Sequence, residues 1–208
     1  MITVYILSAD VLSGAEAAEL PFGDSERARI ENIKDTTYKK ESLGGLVALW
    51  RLLSERSIGL PLSIARDSSG KPYFESASAL PFSISHSHGI CAAALGDGTS
   101  GEVGIDVEAI LDGAKADRIA ERFFSDGEKK EFELAGRTAD SFYSIWTAKE
   151  AAAKLDGKGL AACLGDTQTE AHVTRRMLEI GNVRIALAIA CRDAEQTVQI
   201  FTNRYEEI

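Results

Sequence analysis

The sequence predicts an α+β fold, because strand-forming and helix-forming segments are grouped along the chain rather than alternating regularly. The chain opens on an apolar, strand-like run, Ile2–Ser8, and a long helical stretch follows at residues 36–54. Near the other end, residues 171–175, 183–191 and 197–201 alternate apolar and polar residues as strands do. We expect these last three runs to form a small antiparallel sheet packed on the helix before them.

Further elements are predicted in the first half of the chain. Residues 25–33 favour a helix and residues 61–67 a strand. A turn at residues 67–72 follows from their Ser, Gly and Pro content. Two more strands, 82–85 and 90–95, are separated by a connection short enough for a hairpin.

A run of six turn-forming residues, 96–101, gives the best domain boundary in the sequence. We therefore expect an N-terminal half of residues 1–101 and a C-terminal half of residues 102–208. A strand at residues 103–108 follows immediately, which would place its side chains beside a cleft between the halves.

The C-terminal half continues with helices predicted at residues 114–124, 128–135 and 138–155. Ser125 followed three residues later by Glu128 matches a capping box, which starts a helix by reciprocal hydrogen bonds. Gly157 is well suited to end the long helix, since glycine tolerates the left-handed conformation of a C-cap.

Composition limits the classes of protein that remain. With 208 residues, 45% of them hydrophobic, the chain can form one compact unit or two small halves around a continuous core. A net charge of −9 argues against general nucleic-acid binding, which needs a basic surface. No run approaches membrane-spanning length, and the first residues lack the features of a signal peptide. Cys91, Cys163 and Cys191 include no CxxC pair, so we expect reduced thiols in a cytoplasmic protein.

Two acids stand in the strand at residues 103–108, Val-Gly-Ile-Asp-Val-Glu. Because side chains alternate along a strand, Asp106 and Glu108 project from one face and Ile105 and Val107 from the other. Neighbouring carboxylates repel unless a cation or a shared proton relieves them. The pair is therefore either a cation site or a solvent-exposed face.

Two other stretches favour a site. In Trp-Thr-Ala-Lys-Glu-Ala-Ala-Ala-Lys, residues 146–154, Glu150 and Lys154 share one face of a helix at i, i+4 spacing. Ser85 and His86 follow a strand-like run and offer a hydroxyl and an imidazole at its end. Carboxylates, cationic donors and hydroxyls on three separate segments suit a hard metal ion bound to a phosphate ester.

These residues lie in blocks that resemble the phosphopantetheinyl transferases of the surfactin-synthetase-activating type. The five blocks occur in the expected order and span about half the chain. They are Gly70-Lys71-Pro72; Ile84-Ser85-His86-Ser87; Gly104-Ile105-Asp106-Val107-Glu108; Arg122-Phe123-Phe124 with Glu128; and Trp146-Thr147-Ala148-Lys149-Glu150 with Lys154 and residues 157–160.

The resemblance implies a fold and an activity. The fold is a pseudo-dimer of two similar α+β halves, with the active site in the cleft between them. The activity is transfer of the phosphopantetheine arm of coenzyme A to a serine of a carrier protein, with release of adenosine 3′,5′-bisphosphate. Magnesium is the implied ion, and Asp106, Glu108 and Glu150 are its expected ligands.

The resemblance also assigns roles to single residues. Glu150 is expected to take the proton of the carrier serine, and Asp106, Glu150 and Lys154 form the catalytic set. Lys149 and Lys154 would neutralise the excess charge of three carboxylates and a pyrophosphate. The remaining coenzyme A contacts are expected from Lys40, Lys71, Ser85 and His86. Glu41 stands where the family pattern expects a basic residue, so Lys40 beside it is the candidate.

Two other functions remain open at this point. The chain could be another magnesium-dependent phosphotransferase or phosphodiesterase acting on a nucleotide, which would need no protein acceptor. It could also be a non-catalytic module that binds a carrier protein. As partners we expect an apo acyl or peptidyl carrier protein of fatty-acid, polyketide or nonribosomal-peptide synthesis, docked on the basic face at residues 118–130. A chain with both halves should act as a monomer.

Overall fold

The computed structural model describes residues 1–12, 20–59, 61–76, 80–99, 101–111, 115–157 and 170–202. Cys163 and residues 158–160 lie outside this part of the chain. The helices are α1, Asp24–Glu31; α2, Thr36–Glu55; α3, Ala116–Phe123; α4, Asp126–Leu134; and α5, Ala139–Asp156. The strands are β1, Ile2–Ser8; β2, Ile64–Arg66; β3, Pro72–Phe74; β4, Phe82–Ser87; β5, Ile90–Gly96; β6, Val103–Ala109; β7, His172–Ile180; β8, Val183–Cys191; and β9, Val198–Thr202.

The strands form two main sheets and one short hairpin, which confirms the α+β class. The first sheet has the order β4-β5-β1-β9 and the second has the order β6-β8-β7. Apolar side chains of β1 and β5 pack against those of β6 and β8 in one shared core. Helix α2 covers the first sheet and α5 covers the second, so the chain stacks as helix, sheet, sheet, helix.

The placement of β9 corrects one prediction. We expected the last three strands to form one antiparallel sheet, but only β7 and β8 pair in that way. Strand β9 runs parallel to β1, with Ile2 opposite Val198 and Ile6 opposite Thr202. Strand β1 is buried in the first sheet, so its second edge needs hydrogen-bond partners, and β9 supplies them. Local alternation cannot reveal a partner at the other end of the chain.

Most predicted elements are confirmed, with small shifts at their ends. Ser125 and Glu128 make both bonds of the capping box, and Gly157 takes the left-handed conformation with φ of 64°. The strand expected at residues 61–67 is shorter, Ile64–Arg66, because it pairs only with the three residues of β3. Helix α3 likewise begins two residues later than expected.

Two glycines allow α2 to approach the first sheet closely. A Cβ atom on Gly44 would lie 2.5 Å from Cys91 Sγ, and one on Gly45 would lie 2.4 Å from Ile84 Cγ2. Their cost in helix propensity is therefore offset by close packing.

Gly104 has the same role in the second sheet, but there the neighbour is backbone. A Cβ atom at this position would lie 2.1 Å from the carbonyl oxygen of Ala151 and 2.6 Å from the amide nitrogen of Leu155. Helix α5 therefore lies directly on β6. This contact sets the distance between the side chains of α5 and those of Asp106 and Glu108.

The two sheets also meet along the edge strands β4 and β6, where side chains replace the usual backbone ladder. Ser83 Oγ accepts a hydrogen bond from Ile105 N–H at 3.1 Å, and Ser85 Oγ accepts one from Val107 N–H at 3.3 Å. Serines at alternate positions of β4 thus accept hydrogen bonds from backbone amides at alternate positions of β6. The register between the two sheets is fixed next to the acid pair.

Cys91 and Cys191 are buried and free. Burial raises the pKa of the Cys91 thiol to about 12, so this group is a packing residue rather than a nucleophile. Among the residues described, no helix has the length and apolar character to cross a membrane. The cytoplasmic location stays a prediction from the cysteine pattern.

We predict that Gly104→Ala destabilises the fold, because the added methyl group collides with backbone that cannot move aside. Overpacking of this kind costs about 1–3 kcal/mol, and urea unfolding followed by circular dichroism would measure it. Gly127→Ala in α4 is the control, since its Cβ would meet only Ser125 Oγ at 3.9 Å. Equal stability of the two variants would contradict the close packing of α5 on β6.

Candidate active site

Two adjoining cavities lie where β4, β6 and α5 meet, with volumes of about 260 and 300 Å³. The smaller one is lined by the acid pair and by residues of α1 and α2, and we call it the acidic cavity. The larger one is lined by residues of the β2–β3 hairpin and the end of α5, and we call it the lysine cavity. Both are lined by Arg66, Pro72, Ile84, Glu150 and Lys154.

The three predicted acids converge on the acidic cavity. Asp106 and Glu108 come from the face of β6 that lies under α5, and Glu150 comes from α5 itself. Asp106 is only 2% exposed and Glu108 is partly buried, so the pair does not form a hydrated surface. The alternative of a solvent-exposed face is therefore wrong.

Lys154 and Ser85 hold one oxygen of Asp106. The ammonium of Lys154 donates to Asp106 Oδ1 at 2.7 Å and to Ser85 Oγ at 2.8 Å. Ser85 Oγ in turn donates to the same Asp106 oxygen at 2.8 Å. Three elements, β4, β6 and α5, are linked by this one group of contacts.

Burial and mutual repulsion raise the pKa values of two carboxyl groups in the acidic cavity. The pKa of Glu150 rises to about 8, mainly through burial and then through the negative charge of Asp106, while Lys154 opposes the rise. Burial also raises the pKa of Glu108, and a hydrogen bond from Ser87 opposes it. The site thus holds more negative charge than one ammonium can balance.

The donor set fits a hard divalent cation. Asp106 Oδ2 is buried and receives no hydrogen bond from an amide, hydroxyl or cationic group in the described part of the chain, while a hydrogen bond between Asp106 and the carboxyl group of Glu150 contributes to the raised pKa of Glu150. The oxygens of three carboxylates are the ligand type that Mg²⁺ prefers. Within the described ranges, however, no three His, Cys, Asp or Glu side chains are arranged as a ready-made metal site, and Lys154 contacts Asp106 instead.

The remaining predicted residues occupy different positions. His86 lines the acidic cavity, and Lys71 lines the lysine cavity, where its ammonium contacts Glu102 and, at 3.1 Å, the carbonyl oxygen of Leu155. Lys40 is paired with Asp10 at 2.8 Å on the surface. The coenzyme A roles of His86, Lys71 and Lys40 stay predictions.

Lys149 does not line either of these two cavities in the described part of the structure. Its ammonium donates to both carboxylate oxygens of Glu128, at 2.9 and 3.2 Å. Since Glu128 also closes the capping box, this contact ties the start of α4 to α5 next to Glu150. Its role toward coenzyme A also stays a prediction.

Sequence reasoning missed several residues that line or support the cavity. Arg29 and Arg66 both contact the buried carboxylate of Glu26, at 2.7 and 3.0 Å, and all three line the acidic cavity. Ser87 donates to Glu108. Serines at alternate positions 83, 85 and 87 indicate that one face of this strand is polar, and this pattern could have predicted the contact between Ser87 and Glu108. Arg29 belongs to a cluster of basic residues between positions 27 and 40 of the sequence, whereas Arg66 comes from a distant segment and gave no comparable signal.

Comparison with known proteins finds matches to the part of the chain that carries this site. Residues 102–200, which carry all three acids and Lys154, match the model of the 4′-phosphopantetheinyl transferase superfamily. The 4′-phosphopantetheinyl transferase psf-1 of Bacillus pumilus is 31% identical over 173 residues, which are 80% of this chain and 69% of that protein. The transferase AcpT of Salmonella typhi is 38% identical over 117 residues, 55% of this chain and 57% of that protein.

A Synechocystis protein with a provisional 4′-phosphopantetheinyl transferase name is 30% identical over 158 residues, 72% of this chain and 63% of that protein. Fold and site thus define a mixed α+β protein with a carboxylate-lined cavity. The chain belongs to the 4′-phosphopantetheinyl transferase superfamily, which confirms the resemblance seen in the five sequence blocks. The matched regions span 57–69% of the lengths of these three relatives.

We predict that the contribution of Glu150 to the stability of the metal-free protein falls as the pH rises from about 4.5 to about 8. Over this range the folded protein keeps a proton on Glu150, whose pKa of about 8 exceeds its ordinary value of 4.5, while the unfolded chain has lost it. Folding therefore takes up a proton, and the free energy of unfolding falls as the pH rises.

Thermal melts in EDTA across this pH range would measure the effect. Glu150→Gln is the control, because the amide resembles the protonated acid and does not titrate. We expect the difference in melting temperature between the variant and the wild type to grow with pH. A constant difference would contradict the raised pKa of Glu150.

Proposed function

We propose that this protein transfers the phosphopantetheine arm of coenzyme A to a serine of an acyl or peptidyl carrier protein. The observation that carries the proposal is the convergence of Asp106, Glu108, Glu150 and Lys154 on one cavity, in a chain of this superfamily. The acidic cavity adjoins the lysine cavity, so a ligand of nucleotide size could contact both.

The reaction is a phosphoryl-type transfer with a simple balance of atoms. The serine oxygen attacks the phosphorus atom that carries the pantetheine arm, and a new P–O bond forms. The bond from that phosphorus to the bridging pyrophosphate oxygen breaks, and adenosine 3′,5′-bisphosphate leaves. The proton of the serine hydroxyl must pass to a base.

A magnesium ion would be held by carboxylates drawn from Asp106, Glu108 and Glu150, and the buried Asp106 Oδ2 is one oxygen that could bind it. When bound, the ion supplies positive charge to the pyrophosphate and so stabilises the charge that develops during transfer. Mg²⁺ rarely takes three carboxylates, because it keeps water and substrate oxygens in its shell. One of the acids is therefore available for proton transfer.

Glu150 is the acid best suited to accept the serine proton. Its raised pKa shows an environment in which a carboxyl group binds a proton readily, and an operating pKa near neutrality favours general base catalysis. Lys154, whose ammonium lies 2.7 Å from Asp106, can balance charge on the leaving phosphate. Asp106 fixes the position of Lys154 in return.

The proposed architecture is a pseudo-dimer with the site in the cleft between its halves, residues 1–101 and 102–208. Its support is that each of the two main sheets is covered by one long helix, α2 or α5, and that the acidic cavity is lined from both segments. Strand β9 is the exception, because it belongs to the second segment but completes the first sheet.

The carrier protein is proposed to dock on α3 and the start of α4. Arg118 and Arg122 are exposed there, and the guanidinium of Arg122 lies 5.2 Å from the centre of the Phe123 ring. Phe123 contacts Trp146 edge to face, one turn before Glu150 on α5. This basic and aromatic face suits an acidic carrier protein. Through Trp146 it contacts α5, the helix that carries Glu150, the proposed general base.

The direct test of the activity is mass spectrometry of candidate apo carrier proteins incubated with the protein, coenzyme A and Mg²⁺. We expect the carrier serine to gain the phosphopantetheine arm. Asp106→Ala and Glu150→Ala should fold yet lose activity by about 100-fold or more, since each removes charge stabilisation or the base. Glu179→Ala, an exposed acid on β7, is the control.

Near-native transfer by both variants would refute the site. Cleavage of coenzyme A without any carrier protein would instead favour a phosphodiesterase or another phosphotransferase. Binding of a carrier protein with neither reaction would favour the non-catalytic module.

For the docking face, we predict that Arg122→Glu and Lys129→Glu raise the KM for the carrier protein by several-fold, because they repel an acidic partner. The KM for coenzyme A should not change. Arg176→Glu, at an exposed position on β7, is the matched charge reversal. An unchanged KM for the carrier in both variants would place docking elsewhere.

A further inference from the structure

Glu41 is a buried acid for which the proposed reaction provides no role. Glu41 is 8% exposed and lies on the face of α2 that Gly44 and Gly45 bring close to the first sheet. It is absent from the residues that line the acidic cavity, so it would contact a ligand there only through another side chain. A buried carboxylate needs hydrogen-bond partners, and each carboxylate oxygen of Glu41 has one.

The first partner is the imidazole of His86. Glu41 Oε2 lies 3.1 Å from His86 Nδ1, and the ring of Tyr38 meets the imidazole edge to face with centroids 5.1 Å apart. His86 lines the acidic cavity, whereas Glu41 lies behind it. A carboxylate at Nδ1 favours the tautomer with a proton on that nitrogen, which leaves Nε2 on the other side of the ring for a ligand.

The second partner is the backbone of the β4–β5 turn. Glu41 Oε1 accepts a hydrogen bond from Gly89 N–H at 2.7 Å. His88 and Gly89 have φ values of 48° and 81°, so both central residues of this tight turn take the left-handed conformation. The turn has a second anchor, because Ala9 N–H donates to the Gly89 carbonyl oxygen at 2.6 Å. Loss of the Glu41 side chain should therefore leave the turn and the fold intact.

We propose that Glu41 is a positioning residue, which fixes the tautomer and the orientation of His86 toward the nucleotide portion of coenzyme A. This inference rests on the proposed function for the identity of the ligand. It also explains why the acidic residue Glu41 can stand where the family pattern expects a basic residue. The carboxylate of Glu41 acts from behind His86, on the side away from the cavity. Glu41 sets the imidazole that the nucleotide contacts and does not contact the nucleotide itself.

The first measurement needs no ligand. The chain has three histidines, so nitrogen-15 correlation spectra of their rings can be assigned with His86→Gln, His88→Gln and His172→Gln. We expect His86 to carry its proton on Nδ1 in the wild type and to shift toward the Nε2 tautomer in Glu41→Ala. Glu41→Gln keeps an acceptor for Gly89 N–H and should shift less. An unchanged tautomer in Glu41→Ala would overturn the proposal.

The second measurement is a double-mutant cycle read by calorimetric binding of adenosine 3′,5′-bisphosphate. We expect Glu41→Ala to weaken binding about tenfold and Glu41→Gln about threefold, in line with loss of one hydrogen bond to a charged group. Glu41→Ala should have no further effect in the His86→Ala background. Glu55→Ala, an exposed acid on the same helix, is the control. An equal loss of affinity in both backgrounds would show that Glu41 acts independently of His86.

Steady-state kinetics separate this proposal from the function on which it rests. A positioning role predicts that Glu41→Ala raises the KM for coenzyme A while kcat changes little. Suppose that the wild type neither binds the nucleotide nor transfers the arm, yet the tautomer of His86 shifts in Glu41→Ala. The proposed function then fails, while the inference that Glu41 positions His86 is retained.

Discussion

The hydroxyl group of Ser85 is the point on which the arrangement of the site depends. It accepts a hydrogen bond from Val107 N–H, receives another from Lys154 and donates its own proton to Asp106. One side-chain oxygen therefore joins β4, β6 and α5. Because β4 and β6 are edge strands of different sheets, no backbone ladder could have fixed their register, and the serines of β4 do so instead.

Close packing adds the second constraint. Gly104 lets α5 lie on β6, and Gly44 with Gly45 lets α2 lie on β4 and β5. Side chains of both helices thereby reach the acidic cavity, Glu150 and Lys154 from α5 and Tyr38, Ser42 and Leu46 from α2. The pKa of Glu150 is displaced so far mainly because burial disfavours its charged form, and the negative charge of Asp106 adds to the effect. Three glycines thus set backbone distances that help to position the side chains of the site.

The sequence predicted what local rules control and missed what distant contacts control. The acids of β6, the Glu150–Lys154 pair and the capping box all follow from periodicities of two or of 3.6 residues. The parallel pairing of β9 with β1 could not be predicted, since alternation gives a strand but not its neighbour. The roles of Arg66 and Glu41 were not predicted for a similar reason, because each residue lines or supports the site through contacts with segments far away in the sequence.

The position of β9 has a consequence for how the molecule is made. Its partner, β1, is synthesised long before β9, because the paired residues Ile2 and Val198 are far apart in the sequence. Until then one side of an apolar strand stays open, and such an edge readily recruits other chains. Chains that lack β9 would therefore tend to associate through the open edge of β1.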